Sequence, residues 1–235
     1  GISVPDGFSI PFFWYDEFMK RNGLDKRIEA MIQEYDFVHN PRYRRQRLEG
    51  LRAAIQQGTF DPGLRGAVLR KWRNQLRQRP VFVRSSSNAE DLPNFSGAGL
   101  YSSVANVRTN AGLIEAVKKV WASLWKFEAY EARVRNYVSQ TDVYMSALIQ
   151  IGVDMQKGGV MITRDPYDSG RTDAVFISAV CGHNSRVVDN SGIPEQILFD
   201  FAKDSILVRT LSDQINSLRF SAAGDLKPVN DRCAD

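Results

Sequence analysis

The chain has 235 residues, of which 43% are hydrophobic and 25% charged, the balance of a globular protein that can bury a core. No apolar run approaches the roughly 20 residues that span a membrane. Two histidines and two cysteines, without a Cys-x-x-Cys pair, exclude a structural zinc site and indicate a reducing, cytoplasmic location. The net charge of +4 conceals a charge of +10 in residues 41–84, which suits a polyanionic partner.

The first part of the chain is predicted to be helical after an extended start around Pro5 and Gly7. Apolar residues recur at helical spacing in residues 16–22, 25–35, 42–57 and 62–78. The period then changes, and residues 80–84 predict a short buried strand that ends in Arg84. Residues 85–99 are small and polar, which predicts a loop of about fifteen residues, a length typical of a lid or binding loop.

The second part is predicted to contain one long helix followed by strands. Residues 100–107 have an extended pattern, and apolar residues at steps of three and four predict a single helix over residues 111–137, with Trp121 and Trp125 packed in its stripe. Strand patterns separated by turn residues follow at 143–153, 159–163, 174–180, 196–201 and 206–211. The tail after Ser221 is polar, without a predicted element. The fold class is therefore α/β (α+β), with lobes at residues 1–110 and 111–235.

Residues 83–99 have a composition that suits a polyphosphate. Arg84 offers a fixed positive charge that can grip phosphate oxygens. Gly97 and Gly99 permit positive φ angles and close approach to a ligand, and successive backbone N–H groups in such a turn attract anions. The acids at 90 and 91 are expected to orient Arg84 or to cap the following turn. By composition alone, an ordinary surface loop remains the alternative.

The order of these residues resembles the signature of a known family. Residues 84–93, Arg-Ser-Ser-Ser-Asn-Ala-Glu-Asp-Leu-Pro, and the following Phe-Ser-Gly-Ala-Gly resemble the ATP-binding domain of the phosphoenolpyruvate synthase and pyruvate phosphate dikinase family. The opening Gly-Ile-Ser-Val-Pro-Asp-Gly-Phe, the helix motif at 120–125, and residues 149–150 with 159–166 are similar to further family motifs. Together they imply an ATP-grasp-like fold with a helical first lobe and a mostly antiparallel sheet.

The resemblance also implies roles for five residues. Arg84 is expected to contact the ATP phosphates and to help in catalysis. Gly97, Gly99 and Ser103 are expected in a glycine-rich lid, and Gln150 near the adenine. An ordinary strand serine and a strand amide bonded to backbone remain the alternatives for Ser103 and Gln150. The implied cofactors are ATP and Mg²⁺, whose ligands are expected outside this chain.

In the family, a phosphoryl group passes from ATP to a histidine on a separate swivelling domain, and then to pyruvate or another acceptor. Neither His39, expected in a polar linker, nor His183, expected to pack, suits that role. The family's Gly-Gly-Lys-Gly-Ala stretch and its acidic metal-binding segment are expected outside this chain. The chain alone is therefore expected to be inactive, since phosphoryl transfer needs cations around the phosphates.

Three positions depart from the family pattern. Asn184 and Asn190 stand where glycine is usual, and Ser185 stands where an acid is common. They leave open a second hypothesis, a degenerate module that binds nucleotide or a partner without turnover. A third hypothesis, nucleic-acid binding through residues 41–84, has no recognised motif in its support. Solvated, arginine-rich helix faces account for the same charge.

Overall fold

The structure, a computed structural model, describes residues 3–92, 95–97, 99–168, 170–188, 191–212 and 214–230. Its contacts group the chain into two units, Gly1–Gly152 and Val153–Asp235, which we call unit 1 and unit 2. Both contain helices and antiparallel sheets, which confirms the predicted α/β class. The division falls later than the boundary placed after residue 110, because residues 145–151 form a strand inside the sheet of unit 1.

The helices of unit 1 begin at capping residues that the sequence supplies. Asn40 Oδ1 accepts two backbone N–H groups of the following turn, and Asp61 Oδ1 accepts one, so that N–H groups without a helical partner are satisfied. His39 ends a helix rather than lying in a linker. In the part of the chain that is described, no helix is long and apolar enough to cross a membrane. The helices of unit 1 are α1 Phe12–Arg21, α2 Leu24–Met31, α3 Tyr35–His39, α4 Pro41–Gln57, α5 Pro62–Asn74, α6 Asn110–Ser123 and α7 Phe127–Arg135.

The strands of unit 1 are β1 Gly7–Ile10, β2 Val81–Ser87, β3 Asp91–Leu92, β4 Phe95–Ser96, β5 Val104–Val107 and β6 Met145–Ile151. Four of them form an antiparallel sheet in the spatial order β1, β6, β2, β5, and β3 pairs with β4 in a short hairpin. Alternate strand residues such as Val83 and Ile149 enter the apolar core, together with the helices. Trp121 and Trp125 are buried in that core, as predicted.

The prediction of a single helix over residues 111–137 is wrong, because the chain forms α6 and α7 with a break between them. The N–H groups of Leu124 and Trp125 bond to carbonyls three residues back rather than four, and Lys126 is extended, with ψ of 145°. The freed carbonyl of Leu124 accepts Arg133 Nη1 at 2.8 Å. Both helices pack on the same core, so the apolar spacing continues through the break and conceals it.

The predicted loop of residues 85–99 is only partly a loop. β2 continues through Ser87, and its last three residues pair with Ala147, Ser146 and Met145 of β6. The β3–β4 hairpin follows within the same segment. The apolar pattern stops at Arg84 because Ser86 is exposed and the other serines are only half-buried. Backbone pairing with β6 extends the strand where the side chains give no signal.

Unit 2 is built on a second antiparallel sheet, in the spatial order β10, β9, β8, β7. Its predicted strands are confirmed at β7 Lys157–Ile162, β8 Ala174–Cys181, β9 Glu195–Asp200 and β10 Ser205–Thr210. The short helix α8 Ser185–Val188 follows β8. The tail after Ser221, predicted to lack an element, contains β12 Leu226–Val229, which pairs with β11 Ser217–Phe220. Most of β12 is exposed, so it carries no hydrophobic pattern.

Candidate functional site

One face of the unit 1 sheet gathers polar side chains that the sequence singled out. Successive side chains alternate across a strand, so the register of β2 with β6 decides which residues share a face. Arg84 and Gln150 are diagonal neighbours on it, a placement that separates such positions by about 7–8 Å. We call it the Arg84 face, and it consists of Phe82, Arg84 and Ser86 on β2 with Ser146, Leu148 and Gln150 on β6.

Arg84 presents a positive charge that no protein carboxylate neutralises among the described residues. Its side chain is exposed, and its guanidinium carbon lies 5.4 Å from the centroid of the Phe82 ring on the same face. A cation held over an aromatic ring is attracted to it, which restricts the directions in which the guanidinium points. The guanidinium donors therefore remain available to an anionic ligand.

Gln150 and Ser103 lie near Arg84 in the same sheet. Gln150 Nε2 donates to the carbonyl of Pro5 at 3.1 Å, the backbone bond that the sequence analysis kept as an alternative. Its Oε1 remains an acceptor on the Arg84 face. Ser103 is exposed and directly precedes β5, whose Val104 pairs with Val83. Continuing that register sets Ser103 beside Arg84, so three of the five predicted residues share one side of one sheet.

Gly97 and Gly99 lie in a turn between the β3–β4 hairpin and β5. The N–H of Gly97 donates to the Glu90 carbonyl at 2.7 Å. A Cβ on Gly97 would lie 3.1 Å from Glu90 Cα and 3.2 Å from the Tyr101 ring. Gly99 has a φ of +77°, and nothing lies within 4 Å of a Cβ built there. Gly97 thus permits close packing, and Gly99 permits a left-handed backbone with open space around it.

Hydrogen bonds anchor the start of the segment between β2 and β5, which contains this turn. Asn88 Oδ1 accepts the N–H of Tyr144 at 2.8 Å, and Asn88 Nδ2 donates to the Asp142 carbonyl at 2.8 Å. Glu90 Oε2 accepts the N–H of Ser87 at 3.1 Å, so this acid caps the turn rather than orienting Arg84. Since β2 and β5 are neighbours in the sheet, the segment that joins them leaves and returns at one end of it. Ser103 lies at that end.

Arg133 on α7 is fully buried. Its Nε donates to Gln140 Oε1 at 3.0 Å, and its guanidinium carbon lies 5.5 Å from the centroid of the Trp125 ring. Burial lowers the pKa of Arg133, and the neighbouring Tyr101 opposes that shift. The Tyr101 ring also lies beside Gly97, where it would meet an added Cβ at 3.2 Å. Helical spacing alone does not distinguish a buried arginine from an exposed one, so the sequence did not predict the burial of Arg133.

Unit 2 contains a partly buried network of ion pairs. Asp165, from the Thr-Arg-Asp-Pro motif, has a side chain that is 1% exposed and accepts Arg209 Nη2 at 3.1 Å. Arg171 bonds to Asp200 and lies 4.0 Å from Asp165. Burial disfavours the charged form of Asp200, but the backbone N–H groups of residues 203 and 202 and the charge of Arg171 outweigh it and lower its pKa. These ion pairs connect the segment between β7 and β8 with β9 and β10.

Two of the three departures from the family pattern fit the fold without strain. Asn184 is not in the left-handed region, so its position does not require glycine, and its carbonyl accepts the N–H of Val187 at 3.0 Å. The N–H of Ser185 donates to Nδ1 of His183, which is buried as expected, at 3.2 Å. The third departure, Asn190, lies outside the described residues.

Several arginines of the basic segment, residues 41–84, are committed to structural ion pairs. These pairs connect α4 to α7 and to the turn before α3, so part of the local positive charge is already paired within the chain. Arg44, 8% exposed, also donates to the carbonyls of Phe37 and Val38. The pairs are Arg44–Glu131 at 2.6 Å, Arg45–Glu128 at 3.1 Å, and Arg47–Glu34.

Comparison with known proteins supplies the family. Residues 1–232 match the family model described as pyruvate phosphate dikinase, AMP/ATP-binding domain. The chain belongs to this family. The resemblance seen in its motifs is therefore confirmed, and so is the mixed α/β architecture expected of such an ATP-grasp-type domain.

Similar curated proteins are phosphoenolpyruvate synthases. A probable one from Methanothermobacter thermautotrophicus is 30% identical over 220 residues, which cover 91% of this chain and 32% of the relative. That of Deinococcus radiodurans is 28% identical over 236 residues, 97% of this chain and 30% of the relative. That of Escherichia coli is 30% identical over 202 residues, 83% of this chain and 25% of the relative. The chain thus spans about a third or less of the length of these relatives.

The Arg84 face combines three groups that interact with anions or hydrogen-bond donors. It offers a guanidinium without a carboxylate partner among the described residues, an amide acceptor, and a nearby glycine turn with open space. Within the described ranges, no group of three or more His, Cys, Asp or Glu side chains could hold a metal ion.

Proposed function

We propose that this chain binds ATP on the Arg84 face, with Arg84 as the phosphate clamp. The turn with Gly97 and Gly99 closes over the phosphates and excludes water, Ser103 supports it from the residue before β5, and Gln150 Oε1 accepts from the adenine amino group. The observation that carries the proposal is the exposed Arg84 guanidinium, which stands on a polar sheet face without a carboxylate among the described residues.

The whole protein is proposed to be a dikinase-type phosphotransferase. ATP transfers a phosphoryl group to a histidine on a swivelling domain, which passes it to pyruvate or another acceptor. The names of the similar proteins support this reaction. The histidine domain and the Mg²⁺ ligands are proposed to lie outside this chain, which is inactive alone. Its share of catalysis is to position the triphosphate and to stabilise its charge.

Titration calorimetry with ATP tests the binding proposal. Arg84→Ala removes a charge-assisted contact worth about 2 kcal/mol, so the dissociation constant should rise by about thirtyfold. Arg73→Ala is the matched control, because Arg73 is also exposed but lies on α5 and not on the Arg84 face. An equal loss in both variants, or no loss in Arg84→Ala, would contradict the assignment.

A second candidate function is a nucleotide-binding module without turnover. It is favoured by Asn184 and Ser185, which stand where family members carry glycine and an acid and which fit the fold without strain. A phosphohistidine assay on the full-length protein separates the two functions. ATP binding that yields acid-labile phosphoprotein supports the dikinase, whereas binding without transfer supports the module. Phosphate transfer by the chain alone would contradict its proposed inactivity.

A further inference from the structure

A groove of about 450 Å³ lies between strand β1 and helix α5 in unit 1. Its floor is apolar and includes Phe8, Trp14 and Val68, and no residue of the Arg84 face lines it. The lining part of α5 and its C-terminal end, residues 64–75, is about 16 Å long at the rise of an α-helix. Since an extended chain advances about 3.3 Å per residue, the groove has room for about five extended residues.

The β1 side of the groove is an open sheet edge. The N–H of Ile151 bonds to the Asp6 carbonyl at 2.8 Å, and the register pairs Gly7 with Gln150, so Gly7 and Ser9 direct their backbone groups away from β6. The residue after α5 already bonds to this edge, because Gln75 Nε2 donates to the Gly7 carbonyl at 3.2 Å. Ser9 is exposed, and no other described residue bonds to its backbone groups. Such an edge is a template for an added strand.

The α5 side of the groove is cationic. The sequence of α5 contains Arg65, Arg70, Lys71 and Arg73 and no acid. Arg70 and Lys71 line the groove, and none of its lining residues is acidic. Lys71 Nζ lies 5.4 Å from the centroid of the Phe8 ring, which holds the ammonium group over the floor. In the described ranges neither cation pairs with a carboxylate. The complementary occupant therefore carries negative charge.

We propose that the β1–α5 groove binds an extended acidic segment of a partner polypeptide, which adds to β1 as an edge strand. The backbone of the segment bonds to the N–H and C=O of Ser9. Its acidic side chains meet Arg70 and Lys71, and its alternate apolar side chains pack on the floor beside Trp14. This interaction is independent of the nucleotide on the Arg84 face.

The test titrates a capped heptapeptide of alternating glutamate and valine into the chain by fluorescence anisotropy. Arg70→Glu with Lys71→Glu should raise the dissociation constant by about tenfold or more, because like charges then face each other. The matched control is Arg65→Glu with Arg73→Glu, which changes the charge of the same helix equally but outside the groove. It should alter the affinity by less than about threefold, through screened long-range attraction alone.

Two further measurements test strand addition itself. Peptide binding should slow amide hydrogen exchange in β1, and Ser9→Pro, which removes the N–H at the open edge, should weaken binding by about tenfold. Arg84→Ala should leave the peptide affinity unchanged, which distinguishes this site from the nucleotide site.

Four outcomes would overturn the proposal. The first is a lysine–valine peptide that binds as tightly as the glutamate–valine peptide, and the second is a loss of affinity in the control double variant equal to that in the groove double variant. The third is unchanged hydrogen exchange in β1 under saturating peptide. The fourth is sedimentation that shows the chain self-associating through β1. The last would assign the groove to a second copy.

Discussion

Gly97 and Gly99 are required for different physical reasons, which substitution can separate. At Gly97 a new Cβ lies 3.1 Å from Glu90 Cα and 3.3 Å from the Ala89 carbonyl oxygen, and backbone atoms cannot swing aside as a side chain can. Crowding of this kind costs about 1–3 kcal/mol. At Gly99 no atom lies within 4 Å of the new Cβ, but its φ of +77° disfavours an alanine by about 1–2 kcal/mol.

We expect Gly97→Ala to lower the thermal midpoint of unit 1 by about 2–12 °C, from about 2–4 °C per kcal/mol in a domain of this size. Gly99→Ala should lower it less, because the open turn can relax, and should instead weaken ATP binding. Differential scanning fluorimetry and ATP titration measure the two effects.

Asparagine provides the decisive comparison, since it tolerates the left-handed region better than alanine. Gly99→Asn should recover most of the ATP affinity that Gly99→Ala loses. Gly97→Asn should be at least as damaging as Gly97→Ala, because its larger side chain meets the same backbone atoms and the Tyr101 ring. If asparagine rescues both positions or neither, the assignment of one glycine to space and the other to backbone angle is refuted.

Two further predictions concern unit 2. Gly182→Ala places a Cβ 2.4 Å from the backbone N and O of Leu218, so it should destabilise unit 2 by about 3 kcal/mol or more. Hydrogen exchange should then show early loss of amide protection in β8. Protection equal to that of the wild type would contradict this packing. The pKa of Asp200 is lowered from its ordinary value of 3.8, so its ionised form stabilises unit 2 above that pH, and this contribution is lost as pH falls below it. Asp200→Asn should therefore lower the melting temperature at neutral pH and flatten its decline below about pH 4, and an unchanged pH profile would refute the role.

The hydrophobic pattern of the sequence predicted those elements in which buried positions carry apolar side chains and exposed positions carry polar ones. The strands of unit 2 up to β10 were found because apolar residues and turn residues alternate there. β12 and the last residues of β2 were missed, since backbone pairing forms them and their side chains are exposed or only half-buried. The break between α6 and α7 was missed for the opposite reason: apolar spacing continues across it, although the backbone bonds do not.

For the candidate site, too, some features were predicted from the sequence and others only from the fold. Arg84 and the two glycines were predicted because the chemistry of a phosphate loop is local in sequence. Gln150 was predicted from a separate family motif, but only the register of β2 with β6 shows that it shares a face with Arg84. The burial of Arg133 depends on its contacts with Trp125, Leu124 and Gln140, which the helical spacing does not reveal.

By itself, the sequence determined the family, the fold class and the residue types of the proposed phosphate site, because motif order and hydrophobic period are properties of neighbouring residues. Only the tertiary structure decided which charges are free. Arg44 is neutralised by Glu131, far along the chain, whereas Arg84 and Lys71 pair with no carboxylate among the described residues. Ion pairing depends on distances of a few ångströms between segments remote in sequence, and folding alone brings those segments together.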